Sequence, residues 1–184
     1  MIKNLLVEII EKLYKICRRE KIEIVFTGGI AVGVYGIPRA TYDVDGIALI
    51  GEEKIKGVLS ALKKEGFKHD PKKPVKAIQG MPFVTLVYSK YKIYVDLFLA
   101  RDKFQREIIS RSRVFPFNRI RIKVVSPEDL ILIKLQAGRE RDIEDIRGII
   151  SESQSKLDFG YLKNWAKKLG VDLFLRDEFE SLGI

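Results

Sequence analysis

A chain of 184 residues with 46% hydrophobic and 32% charged side chains is long enough for one well-buried core and short for two. Lys and Arg number 34 against 25 Asp and Glu, and this net charge of +9 favours polyanionic partners such as nucleotides or RNA, although abundant surface Lys and Glu also accompany growth at high temperature. A single cysteine excludes an internal disulfide, and no run approaches the roughly 20 apolar residues of a membrane span.

The first apolar positions are interrupted by Lys3, Glu8, Glu11, Lys12 and Lys15, so the expectation is a cytoplasmic chain with no signal peptide and no membrane association. Leu5, Leu6, Ile9, Ile10, Leu13, Ile16 and Cys17 recur at helical spacing and predict an amphipathic helix over residues 2–17, with Cys17 in the core. Residues 22–26 are a β-branched run that fits a buried strand, broken by Thr27-Gly28-Gly29, with a short helix over 30–35. A strand over 43–50 precedes an amphipathic helix over 52–65 that stops at Gly66. Residues 69–80 read as a basic, proline-containing loop, followed by strands at 83–88 and 92–99 joined near Ser89-Lys90. A helix over 101–111 and a strand through Ile120, Ile122 and Val124 come next. Ser126-Pro127-Glu128-Asp129 is a helix start, with a Ser cap, Pro at the first helical position and acids in the first turn. That helix runs to 136, Gly138 separates it from another over 139–150, residues 151–155 form a polar linker, and the remainder makes terminal helices carrying Trp165, Phe174 and Phe179. The expected architecture is one α/β (α+β) domain over 1–184, a mixed twisted sheet flanked by helices, with a C-terminal helical part from about 151.

Chemistry concentrates in Asp43-Val44-Asp45. Residues two apart on a strand point to one face, about 6.6 Å apart along the backbone, so these carboxylates share one space. Like charges that close raise one another's pKa unless a hard divalent cation with oxygen ligands neutralises them; the alternative is an exposed edge strand. Asp96 lies in Ile93-Tyr94-Val95-Asp96-Leu97-Phe98-Leu99, too apolar for a surface strand, and needs a partner. Beside the Asp43 strand it would complete a three-carboxylate site; otherwise a buried salt bridge accounts for it. The glycines of Thr27-Gly28-Gly29 stand where a strand hands over to a helix and would let backbone N–H groups approach a phosphate, or simply make a turn. Lys134 interrupts a helix that is apolar nearly all round, so it either snorkels out or meets an anion. Asp142 and Asp145 have Arg139, Arg141 and Arg147 nearby in sequence as candidate partners. Arg39 and Thr41 precede the acids and suit phosphate binding or loop structure equally. His69 is the only histidine, which rules out a His-based triad and a zinc site of His and Cys ligands.

Gly28-Gly29, thirteen residues, Asp43-Val44-Asp45 and a later strand with Asp96 together resemble the polymerase-beta-like nucleotidyltransferase superfamily. The resemblance covers about residues 22–150. It implies that Thr27, Gly28 and Gly29 touch the NTP donor, that Asp43 and Asp45 hold Mg²⁺ or Mn²⁺, and that Asp96 joins the metal site and helps activate the attacking hydroxyl. Gly36-Ile37-Pro38-Arg39-Ala40-Thr41, Ser126-Pro127-Glu128-Asp129-Leu130, Lys134 and residues 139–146 are similar to the branch containing the abortive-infection (AbiEii-type) nucleotidyltransferase toxins. That similarity implies a Lys134 that contacts nucleotide phosphates, an Asp142 that orients it or assists proton transfer, and an antitoxin-like partner protein. Gly29 departs from the family's more usual serine, removing one hydroxyl from the turn. The acceptor would be an RNA end, a protein or a small molecule, with Lys72, Lys73 and Lys76 favouring RNA. The alternative is a catalytically silent module that binds nucleotide or metal, or one that binds RNA or a partner protein as part of a toxin–antitoxin pair.

Overall fold

The structure is a computed structural model that describes residues 2–69, 76–78 and 81–184, with side chains for 5–69 and 81–184. The chain divides into two compact units, one of residues 1–30 and 40–125 and the other of residues 31–39 and 126–184. The second unit thus joins the short segment 31–39 to everything from Ser126 onward.

The first unit opens with α1 (Ile2–Arg19), whose Ile9, Ile10, Leu13, Ile16 and Cys17 are buried at spacings of one, three and four residues. Cys17 is fully buried, and burial, helped by the nearby charge of Glu20, pushes its thiol up to about 12, so it is an inert core group. Strands β1 (Glu23–Phe26), β2 (Asp43–Leu49), β3 (Phe67–His69), β4 (Lys76–Ile78), β5 (Met81–Tyr88), β6 (Ile93–Leu99), β7 (Arg113–Phe117) and β8 (Ile120–Val124) form one sheet of order β3-β5-β6-β2-β1-β8-β7, with β4 paired to β5. The sheet is mixed: β2 runs parallel to β6 and β1 to β8, while the remaining pairs are antiparallel. Helices α3 (Glu52–Lys64) and α4 (Lys103–Ser110) belong to the same unit. Asp102 and Gln105 cap α4 reciprocally, each side chain bonding the other's backbone N–H.

Several elements differ from expectation. The glycines after β1 do not form a separate turn: Gly28 is already the first residue of α2 (Gly28–Tyr35), with φ of +59°. The expected loop over 69–80 contains the end of β3 and the whole of β4; Lys72 and Lys73 lie outside the described residues. β7 was not foreseen. It pairs with β8 through a turn at Asn118, which holds φ of +48°, and Pro116 is tolerated because β7 closes the sheet's end and needs no outward donor.

The second unit holds the rest of α2, then α5 (Pro127–Ala137), α6 (Glu140–Ser153), α7 (Phe159–Leu169) and α8 (Asp172–Ser181). Ser126 caps α5 as expected, its Oγ accepting from Asp129 N at 3.1 Å and donating to Asp129 Oδ2 at 2.7 Å. Glu128 and Asp129 are buried rather than solvated. Tyr161 OH donates to Asp129 Oδ1 at 2.6 Å and Asp158 N to Glu128 Oε1 at 3.1 Å, so the first turn of α5 anchors the start of α7. Gly138 ends α5 in the left-handed conformation, φ +62°. Residues 151–153, expected in a linker, continue α6, and Phe174 stays 59% exposed instead of joining the core.

Candidate active site

In the parallel register of β2 and β6, Asp45 stands directly opposite Asp96, and Asp43 opposite Tyr94. Strand alternation then puts Asp43, Asp45 and Asp96 on one face of the sheet, Asp43 exposed and the other two half-buried. This register is carried by buried neighbours on the opposite face, Val44 and Val95, which are fully sequestered. Thr85 on β5 is the antiparallel partner of Asp96 and its Oγ1 donates to Asp96 Oδ1 at 2.6 Å. Thr41, just before β2, donates from Oγ1 to Asp43 Oδ1 at 2.7 Å. The three acids share a face without closing into a ready-made cage; among the described residues no group of three acidic, histidine or cysteine side chains is gathered tightly enough to hold a metal.

The glycine segment borders the same face. Thr27 extends β1 by one residue, donating its N–H to Asp45 O at 3.0 Å, so its side chain shares the face of Asp45. Gly28 needs to be glycine twice over: its φ is left-handed, and a Cβ there would stand 1.9 Å from Asp45 Oδ2. The Asp45 carboxylate is thereby set against the N-terminus of α2, where backbone N–H groups and the helix dipole favour negative charge. Thr27 is 5% exposed and its hydroxyl has no hydrogen-bond partner. A buried orphan of this kind, together with three carboxylates and no nitrogen or sulfur donor, fits a hard divalent cation and the oxygen-rich ligand it would bring.

Lys134, Asp142, Asp145 and Arg39 all belong to the second unit and form one network there. Lys134 is 5% exposed, and its Nζ donates to Asp142 Oδ1 and to Asp145 Oδ2, each at 2.7 Å. Arg39 grips Asp145 with both arms, Nε to Oδ1 and Nη2 to Oδ2, also at 2.7 Å. Burial alone would raise the Asp145 pKa, but the hydrogen bonds and charges of Arg39 and Lys134 outweigh it and hold the carboxyl below its ordinary value. Asp142 Oδ2 is buried with no partner. The arginines adjacent in sequence are not what Asp145 uses: Arg147, for one, pairs with Glu178 at 2.7 Å. The lead-in to Arg39 is fixed by close packing, since a Cβ on Gly36 would come within 3.1 Å of the Ile149 backbone.

Asp145 and Thr85 were not singled out as site residues. Thr85 carries a weak signal, a polar residue between Val84 and Leu86 in a strand pattern; Asp145 lies in the segment similar to the toxin branch, but its neighbouring arginines suggest a solvated helix face.

The sequence matches the family described as Nucleotidyltransferase of unknown function (DUF6036) over residues 4–173. The chain belongs to that family. As a DUF6036 nucleotidyltransferase it is an enzyme of the nucleotidyl-transfer class, and its fold agrees with solved structures of that class. An antigenic nucleotidyltransferase-like protein from Paracoccidioides brasiliensis superposes with a TM-score of 0.59 at 21% identity, over 98% of this chain and 90% of that one. The antibiotic-resistance factor ANT(2'')-Ia gives 0.61 at 14% identity, over 100% of this chain and 97% of its own. Lincomycin-bound lincosamide adenylyltransferase LnuA gives 0.55 at 16%, over 77% and 94%. At these identities the likeness is one of fold. No curated protein matches the sequence.

Proposed function

We propose that this protein transfers a nucleoside monophosphate from an NTP to an acceptor hydroxyl and releases pyrophosphate, with Mg²⁺ or Mn²⁺ at Asp43, Asp45 and Asp96. The observation that carries this reading is the register of β2 and β6, which sets Asp45 beside Asp96 on the face bordered by Gly28. When bound, the cation supplies charge neutralisation at the triphosphate and polarises the reacting phosphoryl group. Asp43 and Asp45 hold it, and the N–H groups of the first turn of α2 bind phosphate oxygens. Asp96, its rotamer fixed by Thr85, takes the acceptor hydroxyl proton as the new oxygen–phosphorus bond forms and the bond to pyrophosphate breaks. Catalysis is then mainly positioning and electrostatics.

We take a small-molecule hydroxyl as the acceptor, because two structural neighbours that span most or all of this chain are an antibiotic-resistance factor and an antibiotic adenylyltransferase. RNA ends and protein hydroxyls are the other acceptor classes, kept in play by the net charge of +9. The similarity of residues 36–41 and 126–146 to AbiEii-type toxins motivates an antitoxin-like partner as a further part of the proposal, and the single, buried Cys17 suits a cytoplasmic setting. Lys134 and Asp142 fit this scheme as a preset pair, Asp142 fixing the ammonium of Lys134.

The test is transfer of label from each α-labelled NTP to RNA, protein and hydroxyl-bearing antibiotics in the presence of Mg²⁺. Label should appear with wild type, vanish with a chelator, and fall by about a hundredfold or more in the Asp43→Asn, Asp45→Asn double variant. Nucleotide and metal binding without transfer from any donor would instead identify a silent binding module.

A further inference from the structure

Gly29 and Gly28 are glycines for different reasons. Gly29 does not have a positive φ, so its backbone would accept any L side chain. Space is what forbids one: a Cβ on Gly29 would lie 2.5 Å from Thr41 Oγ1, 2.7 Å from Thr41 Cβ and 3.2 Å from Thr41 Cγ2. The Thr41 side chain therefore fills the volume over the first turn of α2 that a residue at 29 would otherwise claim. Its hydroxyl has one proton to donate, and that proton goes to Asp43 Oδ1 at 2.7 Å. A threonine hydroxyl committed in this way has no second proton for a phosphate.

We propose that Thr41 is a positioning residue of the cation site, supplying from the lead-in to β2 the hydroxyl that orients the Asp43 carboxylate, and that Gly29 is glycine to make room for it. The inference rests on the reading of Asp43, Asp45 and Asp96 as cation ligands. It is supported by a separate observation on the same face, the buried and unpartnered Thr27 hydroxyl. Asp43 is exposed and begins its strand, so without a fixed partner its carboxylate would sample several rotamers, and each cation bound would have to order it.

The experiment is titration of the whole chain with Mn²⁺, free ion being followed by electron paramagnetic resonance, with a thermal melt of each variant as the check of folding. Thr41→Val keeps the bulk and loses the donor; it should bind Mn²⁺ about tenfold or more weakly, whereas Thr41→Ser should stay within about threefold of wild type, as expected for a group that orients a ligating carboxylate. Gly29→Ser should weaken binding by displacing Thr41, and adding Thr41→Ala should recover it, because a serine at 29 then has both the room and the reach to present a hydroxyl. Equal affinity of Thr41→Val and wild type would overturn the proposal, as would a double variant weaker than Gly29→Ser alone. If Thr41→Val does not fold, the comparison of Gly29→Ser with the double variant decides. Failure of wild type to bind Mn²⁺ would overturn the cation reading and this inference with it; binding by wild type with no effect of Thr41 would overturn the inference alone.

Discussion

Lys134 lies at the meeting point of two carboxylates, and the second of them, Asp145, is also clasped by Arg39. Two cations and two anions balance, which is why four charged groups are tolerated with so little exposure. Removing one partner leaves the others uncompensated, so Asp145→Asn should destabilise the fold by about 3–5 kcal/mol. The pH dependence has a definite sign. A carboxyl held below its ordinary value in the folded state contributes fully above an unfolded pKa of about 3.9 and loses that contribution as pH falls through the lower folded value. Melting temperatures of wild type and Asp145→Asn should differ by a constant amount above about pH 5 and converge below it. A gap that stays constant into the acid range would mean that Asp145 is not the charged partner it is drawn as. The Arg39–Asp145 pair is not legible in sequence, because 106 residues separate the two and the nearer arginines are the obvious candidates.

At the scale of elements, legibility followed local physics. The helix starts and stops with side-chain or backbone causes were readable: Ser126 with Asp129, and Gly138 in its left-handed cap. What escaped was set by pairing. β7 has a proline inside it and an Asn, not a glycine, at its turn, so Val114, Phe115 and Phe117 alone do not fix a strand until β8 is beside it. Period two assigns Asp43 and Asp45 to one face, but no pattern states that β2 takes β6 as its parallel neighbour, some fifty residues on, in the register that brings Asp96 alongside. The cap of α5 provides a measurable consequence. Ser126 serves both the backbone of Asp129 and its buried carboxylate, which also holds Tyr161. Ser126→Ala should cost about 1–2 kcal/mol, at the upper end for a cap, and a loss of a few tenths in chemical denaturation would show that α7 is not anchored through this turn.

For the whole molecule, the net charge of +9 is the property the fold explains least. Basic surface accounts equally for solubility and for attraction to polyanions, and the two accounts separate in salt. Binding that releases counterions weakens in proportion to the number of phosphates neutralised, with a slope of about 0.7 per phosphate on a single strand. Lys72, Lys73 and Lys76 place three basic residues within five positions. If they meet phosphates, replacing all three with alanine should lower the slope of log affinity for single-stranded RNA against log salt by about two, while transfer of label to a small acceptor is unchanged. An unaltered slope would assign these lysines to solvation. It would also leave the carboxylate face, with the cation proposed for it and its glycine-bordered helix N-terminus, as the part of the molecule that handles phosphate.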